Sequence, residues 1–163
     1  MVEPLKTRSD LVLRLPFNAI GAELGVAAGK FSVELNDRFS FKEFWCIDKW
    51  DDHHNLKEYL NCIRQLPRAN IIRAKFEECL PFFSNGYFDF IYIDGYAHTG
   101  QDGGKTLSDW WPKLKKGGIF AGHDYDQKAW KKTCESVDKF CESVKKEVKI
   151  IKDHPYDSWW IQK

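Results

Sequence analysis

The sequence lacks an excess of charge of either sign. Its 163 residues include 25 lysines and arginines against 24 aspartates and glutamates, which gives a formal net charge of +1. A protein that holds nucleic acid or an anionic membrane by charge alone needs a basic excess, so the balance disfavours both partners. No apolar run approaches the ~20 residues that a membrane helix needs, and the mixed charges near the start are not a signal-peptide pattern. We therefore expect a cytoplasmic protein.

The sequence also lacks paired cysteines. The five cysteines stand at positions 46, 62, 79, 134 and 141, without a Cys-x-x-Cys pair. Because disulfide frameworks and structural zinc sites need closer, paired spacing, these residues are predicted to be buried free thiols. Hydrophobic residues make up 43% of the chain. This content and length predict a single domain over residues 1–163.

Apolar runs typical of strands alternate with segments typical of amphipathic helices. The runs lie at 19–24, 44–47, 70–73, 88–93, 119–121, 148–151 and 158–161. Alternation of this kind predicts βαβ crossovers and a mainly parallel sheet with helices on both faces. Only a turn at Pro155 separates the last two runs, so these should pair antiparallel at one edge. The prediction is a three-layer α/β fold with a seven-stranded mixed sheet.

Glycines follow the first predicted strand, in the segment Glu-Leu-Gly-Val-Ala-Ala-Gly at 23–29. Ligands of open α/β sheets bind at the carboxyl ends of the strands, and glycines let backbone N–H groups approach them closely. The Gly-x-Gly-x-x-Gly spacing of a dinucleotide site is missing, which disfavours an NAD-dependent oxidoreductase. A tight turn without a ligand is the alternative interpretation.

Asp48 ends the second predicted strand, where an acid roughly 20 residues beyond a glycine turn commonly bonds ribose hydroxyls. A helix N-cap or an exposed loop acid is the alternative. Together with the glycine turn, Asp48 favours a nucleoside-containing cofactor, and the spacing leaves both NAD and an adenosyl sulfonium compound open.

Two acids and two histidines follow neighbouring strands. Asp94 and His98 come after the fourth predicted strand, and His123 and Asp124 come after the fifth. Because parallel neighbours end at the same edge of a sheet, we expect these four side chains to converge there. Such a set can hold a divalent cation or supply a general base, whereas solvated loop residues are the alternative.

Taken together, these segments resemble a class I S-adenosylmethionine-dependent methyltransferase of the small methyltransferase-24 type. The matching segments are Glu23–Gly29, Asp48, Phe88–Gly95 with His98, Trp110–Gly118 and Gly122–Tyr125. The resemblance covers nearly the whole chain and implies a Rossmann-like fold with S-adenosyl-L-methionine as the cofactor. The cofactor-binding residues that it implies are Glu23, Gly25, Val26, Gly29, Asp48, Lys49 and Asp94.

The resemblance further implies methyl transfer to an oxygen of a small molecule, such as a sugar or phenol hydroxyl. We expect a monomer, or a homodimer formed through the last strands. The expected catalytic residues are His98, His123 and Asp124. Asp94 and Asp124 are the expected ligands if Mg²⁺ or Mn²⁺ takes part, and metal-free proton removal by a histidine is the alternative.

Two segments depart from the subgroup's pattern. Ala74-Lys75-Phe76 replaces its usual adenine-contact sequence, and Gly100 stands where its members carry tyrosine. The alternative function is therefore a Rossmann-like cofactor-binding protein with vestigial methyl transfer activity or none.

Overall fold

The computed structural model describes residues 5–95 and 103–163. The strands in this part of the chain are β1 (Ile20–Leu24), β2 (Glu43–Asp48), β3 (Asn70–Arg73), β4 (Phe88–Ile93), β5 (Leu114–Gly122), β6 (Lys149–Ile151) and β7 (Ser158–Gln162). The α-helices are α1 (Lys30–Arg38), α2 (Leu56–Gln65), α3 (Phe76–Cys79), α4 (Lys105–Trp110) and α5 (Lys131–Ser143). A 3₁₀ helix at Arg8–Arg14 precedes β1.

The strands form one mixed sheet in the order β3-β2-β1-β4-β5-β7-β6. The pairs among the first five strands are parallel, and β7 lies antiparallel between β5 and β6. The predicted seven-stranded α/β fold with an antiparallel edge is therefore confirmed. The strand order has a switch point between β1 and β4, since β2 and β3 lie on one side of β1 while β4 and β5 lie on the other. Such a switch point opens a crevice at the carboxyl ends of the strands.

Two apolar clusters cover the two faces of the sheet. One cluster packs α3, α4 and α5 against one face, with Leu107 and Val137 completely buried. The other packs α1, α2 and the 3₁₀ helix against the opposite face, with Leu11 and Leu35 completely buried. Because both faces are covered, β4 is buried along its whole length, including Asp89 within its otherwise apolar run.

Several local predictions are confirmed. The Asn55 side chain caps α2 by accepting a hydrogen bond from the backbone N–H of Lys57 at 2.9 Å. All five cysteines are buried and free. Trp159 and Trp160 point to opposite faces of β7, and both are buried because helices cover both faces.

Two elements differ from the sequence-based prediction. β5 begins at Leu114 rather than at residue 119, and its pairing with β4 shifts register between Phe88 and Phe90. The adjacent glycines at 117 and 118, which are typical of a turn, therefore lie inside an irregular strand. The 3₁₀ helix was not predicted, because its two buried apolar residues, Leu11 and Val12, stand among charged and polar ones. No helix among the described residues is both long and apolar enough to cross a membrane.

Candidate active site

Backbone hydrogen bonds hold the carboxyl ends of four strands side by side. The Gly25 N–H donates to the Ile47 carbonyl at 2.9 Å, and the Asp94 N–H donates to the Leu24 carbonyl at 2.7 Å. The His123 N–H donates to the carbonyl of Ile93 at 3.1 Å. The loops that follow β1, β2, β4 and β5 therefore meet at one edge of the sheet.

A cavity of about 500 Å³ opens over this edge. A volume of this order is typical of small-molecule sites, which span ~300–1,000 Å³. Its wall includes five residues that the sequence predicted for the site, namely Gly25, Asp48, Lys49, Asp94 and Asp124. Glu23, Val26, Gly29 and His123 are predicted site residues that do not line it within the described part of the chain. His98 lies outside the described residues.

Asp48 organises the glycine turn after β1. Its Oδ2 accepts hydrogen bonds from the backbone N–H groups of Val26 at 2.8 Å and Ala27 at 2.9 Å. Its Oδ1 accepts a longer bond from the Trp50 N–H at 3.3 Å, and the residue is 7% exposed. The sequence predicted an acid that faces a ribose, whereas one carboxylate oxygen is already committed to the protein's own amides.

Side chains from the segment after β2 and from α2 fix the same turn from the other side. The Trp50 indole N–H donates to the Ala27 carbonyl at 2.8 Å, and the Cys62 thiol donates to the same oxygen at 3.3 Å. The Asn61 side chain donates to the carbonyl of Ala28 at 3.0 Å. The turn therefore has a defined conformation before any ligand binds, which lowers the entropic cost of binding.

Contacts within the protein itself require glycine at two positions of the turn, whether or not a ligand is bound. Gly25 has φ +91°, and a Cβ there would stand 2.2 Å from the Asp94 carbonyl oxygen. Gly29 has φ +80° at the start of α1, and its Cβ would stand 2.9 Å from the sulfur of Cys62. The protein's own backbone and α2 thus exclude side chains at these positions.

Glu23 is buried beneath the turn, with 1% of its surface exposed. Burial raises the pKa of its carboxyl to about 8. The Ser32 hydroxyl donates to Oε2 of Glu23 at 2.5 Å. This carboxyl is therefore neutral over a wide pH range, and it supports the turn from below rather than facing the cavity.

Lys49 follows Asp48 at the cavity wall. Its ammonium lies 3.1 Å from an Asp52 carboxylate oxygen and 3.3 Å from one of Asp51. The hydrogen bond to Asp52, followed by further interactions with both acids, raises the pKa of Lys49. The ammonium thus remains protonated beside the cavity.

Asp94, His123 and Asp124 converge where β4 and β5 end. Nδ1 of His123 lies 2.9 Å from Oδ1 of Asp124 and 3.8 Å from Oδ1 of Asp94. Asp124 has φ +59°, a left-handed conformation that aspartate tolerates and that is common at functional sites. The predicted convergence is therefore found for three of the four residues, and we call these three residues the rim.

The rim residues fit a divalent cation by their chemistry. Each of them offers one ligand atom, and these three atoms lie within 4.8 Å of one another. Two carboxylates and one imidazole form a donor set that suits Mg²⁺ or Mn²⁺. The rim can therefore serve as a cation site, as an acid–base group, or as both.

Other parts of the cavity wall were not among the predicted site residues. Lys75 and Phe76 follow β3, Thr106 belongs to α4, and Trp130 precedes α5. The Phe76 ring packs against Gly95, where a Cβ would stand 2.8 Å from the ring. Lys75 and Phe76 stand where the resemblance places the adenine contact, whereas no local pattern marks Thr106 or Trp130, which only the order of the strands brings to the cavity.

A protein-family model described as a methyltransferase domain matches residues 22–125, which is more than half of the chain and includes the turn and the rim. The chain belongs to this methyltransferase family. The match agrees with the resemblance that the sequence motifs indicate. None of the curated proteins gives a significant match to the sequence.

Solved structures of similar fold include several methyltransferases. The methyltransferase candidate SMU.1697c from Streptococcus mutans, solved in complex with SAH, is 15% identical, with coverage of 100% of this chain and 99% of the other and a TM-score of 0.72. Precorrin-6y C5,15-methyltransferase from Geobacter metallireducens is 14% identical, with coverage of 95% and 85% and a TM-score of 0.74. Spermidine synthase from Thermotoga maritima is 17% identical, with coverage of 97% and 58% and a TM-score of 0.71.

Identities this low show a shared fold and not a shared reaction. The family match and the SAH complex together support S-adenosylmethionine as the cofactor of this methyltransferase domain. The methyl acceptor has to be argued from the site itself.

Proposed function

We propose that this protein transfers the methyl group of S-adenosyl-L-methionine to a hydroxyl oxygen of a small molecule, such as a sugar or a phenol. The observation that carries the proposal is the His123–Asp124 pair beside the cavity, with its 2.9 Å contact between imidazole and carboxylate. Methyl transfer to oxygen requires removal of the hydroxyl proton before or during the attack, and a carboxylate–imidazole pair can accept that proton.

The cavity wall suits the parts of this cofactor. The Phe76 ring provides a flat apolar surface for the adenine, next to Gly95. Oδ1 of Asp48 is the carboxylate oxygen that remains for a ribose hydroxyl, since Oδ2 holds the turn. The methionyl end would then lie along Gly25 and Asp94, which places the sulfonium next to the rim.

The transfer itself needs little from the protein beyond position and proton removal. The acceptor oxygen attacks the methyl carbon, the carbon–sulfur bond breaks, and its electron pair remains on sulfur as the thioether. The hydroxyl proton passes to the His123–Asp124 pair. Asp124 is the member that lines the cavity and meets the acceptor, whereas His123 is 8% exposed and supports it from behind.

When a divalent cation is bound, it lowers the pKa of the acceptor hydroxyl and orients its oxygen. Asp94, His123 and Asp124 are the residues that would hold this ion. The proton-accepting role of the His123–Asp124 pair belongs to the site without this ion.

The test measures binding and transfer separately. Calorimetry with S-adenosylhomocysteine should show binding, and a labelled-methyl assay over phenols and sugars should identify an acceptor. Asp124→Asn should keep the S-adenosylhomocysteine affinity within roughly threefold but reduce transfer by about 10²-fold or more, as expected for loss of a general base.

The matched control is Asp126→Asn, two residues further along. Asp126 accepts hydrogen bonds from the backbone N–H groups of Lys128 and Ala129, which asparagine can also accept, so transfer should be unchanged. Absence of S-adenosylhomocysteine binding at millimolar concentration, or full transfer by Asp124→Asn, would contradict the proposal. Binding without transfer to any acceptor would favour a cofactor-binding protein instead.

A further inference from the structure

An arginine from the 3₁₀ helix reaches the rim. The Arg8 guanidinium lies over the Phe31 ring of α1, with 4.2 Å between its central carbon and the ring centroid. Its Nη1 stands 3.7 Å from Oδ2 of Asp94 and 3.5 Å from the Tyr92 hydroxyl. Its Nε stands 3.3 Å from Oδ2 of Asp153, in the connection between β6 and β7.

This arrangement fixes a positive charge at one place. Separate segments of the chain contact the guanidinium, and the Arg8 side chain is only 23% exposed. The contact with the Phe31 ring and the ion pairs with Asp94 and Asp153 together hold the guanidinium in place. The charge is therefore held beside the rim instead of moving through solvent.

Asp94 stands between this charge and the histidine. Oδ2 faces Arg8 at 3.7 Å, while Oδ1 faces Nδ1 of His123 at 3.8 Å. A divalent cation on the rim would have to share the Asp94 carboxylate with the guanidinium. Two cations at such short distances repel each other, and this repulsion is only partly screened because Asp94 is 28% exposed.

We propose that Arg8 is a positioning residue of the methyl-transfer site, which holds the Asp94 carboxylate and acts as the fixed counter-charge that weakens divalent-cation binding at the rim. The inference rests on the proposed function in one respect, because it takes the rim as the place where methyl transfer occurs. It implies that Arg8 offsets part of the negative charge of the two rim carboxylates without a metal ion, which favours proton removal by the His123–Asp124 pair itself.

The experiment titrates Mn²⁺ alone into the full chain and follows the free ion by electron paramagnetic resonance. Arg8→Met keeps the apolar stem over Phe31 and removes the charge, so it should bind Mn²⁺ roughly tenfold more tightly than the parent, or about 1.4 kcal/mol. Arg8→Lys restores a positive charge and should return the affinity to within roughly threefold of the parent. Adding Asp94→Asn to Arg8→Met should remove the gain.

Arg14→Met is the matched control. Arg14 belongs to the same 3₁₀ helix and also stacks on an aromatic ring, with its guanidinium 5.1 Å from the Trp160 centroid, but its partner is on β7 and not at the rim. It should leave Mn²⁺ affinity unchanged. If Arg8 had only a structural role, Arg8→Met and Arg8→Lys would both have a lower melting temperature, and neither would bind Mn²⁺ more tightly.

Equal or weaker Mn²⁺ binding by Arg8→Met, or none at millimolar concentration, would overturn the inference. If Arg8→Met does not fold, Arg8→Gln carries the same comparison. Calorimetry with S-adenosylhomocysteine on the same proteins separates the two proposals, because a failure to bind it would count against the proposed function and leave the Mn²⁺ comparison standing.

Discussion

Replacement of Asp48 tests whether the turn is held by one carboxylate. Asp48→Ala removes the acceptor of two backbone N–H groups, at 2.8 and 2.9 Å, in a residue that is 7% exposed. Hydrogen bonds to a charged group contribute ~1.5–3 kcal/mol each. Water can reach the half-buried Ala27 more easily than Val26, so we expect a loss of about 3 kcal/mol in the free energy of unfolding.

Asp48→Asn divides this loss into two parts. The amide oxygen still accepts from the N–H groups of Val26 and Ala27, while the charge and the longer bond from the Trp50 N–H to Oδ1 are lost, so the cost should be at least about 1 kcal/mol. With ~2–4 °C per kcal/mol for a chain of this size, the melting temperature should fall by roughly 10 °C for alanine and by about 3 °C for asparagine. S-adenosylhomocysteine affinity should fall by roughly tenfold to hundredfold in Asp48→Ala.

The assays are thermal unfolding by circular dichroism and calorimetric titration with S-adenosylhomocysteine. Asp51→Ala is the control, since that neighbouring carboxylate is 53% exposed and contacts only the Lys49 ammonium among the ion pairs of the described residues. It should change neither measurement. An Asp48→Ala protein with the parent's melting temperature and affinity would refute the role of this carboxylate in holding the turn.

Two further predictions concern the base of the turn. Burial raises the pKa of Glu23 from 4.5 to about 8, so the folded state holds a proton that the unfolded state releases, and stability should fall as the pH rises from 4.5 to about 8. In urea unfolding, the free energy of unfolding of Glu23→Gln should therefore match that of the parent near pH 4.5 and exceed it by about 3 kcal/mol at pH 7. Equal free energies of unfolding for the two proteins at both pH values would contradict this prediction. Gly25→Ala should lose more than about 2 kcal/mol, because its Cβ would stand 2.2 Å from the Asp94 carbonyl oxygen at a positive φ. Gly86→Ala, also at positive φ but with no atom within 4 Å, should lose only about 1 kcal/mol, and similar losses in both variants would show that the clash with Asp94 is relieved.

The predicted sheet was recoverable from the sequence because its signals are local. Mainly apolar runs such as 88–93 mark strands buried on both faces, and Asn55 is a typical capping residue at the beginning of α2. The short turn at Pro155 left no room for a helix, so the antiparallel edge also followed. The irregular start of β5 was missed because two adjacent glycines are typical of a turn. Their hydrogen bonds to Lys163, after the end of β7, hold them in the strand: the Gly117 N–H donates to the Lys163 carbonyl at 2.9 Å, and the Lys163 N–H donates to the Gly118 carbonyl at 3.0 Å.

The candidate site was predictable only in part, for the same reason. The positions of the turn, Asp48 and the rim followed from where strands end. The hydrogen bonds between one carboxylate oxygen of Asp48 and the turn could not be predicted, because their donors are 21 and 22 residues away in the chain. The Asp94 backbone excludes a side chain at Gly25, and this contact cannot be deduced from the spacing of the glycines.

By itself, the sequence determined the order of strands and helices, the carboxyl-edge position of the site and the family to which the chain belongs. Tertiary structure alone decided what surrounds each site residue. Arg8 and Tyr92 are separated by 84 residues, yet their side chains meet beside Asp94. Local patterns fix backbone conformation through interactions between near neighbours, whereas the charge at a reacting centre depends on which distant segments the packed core brings together.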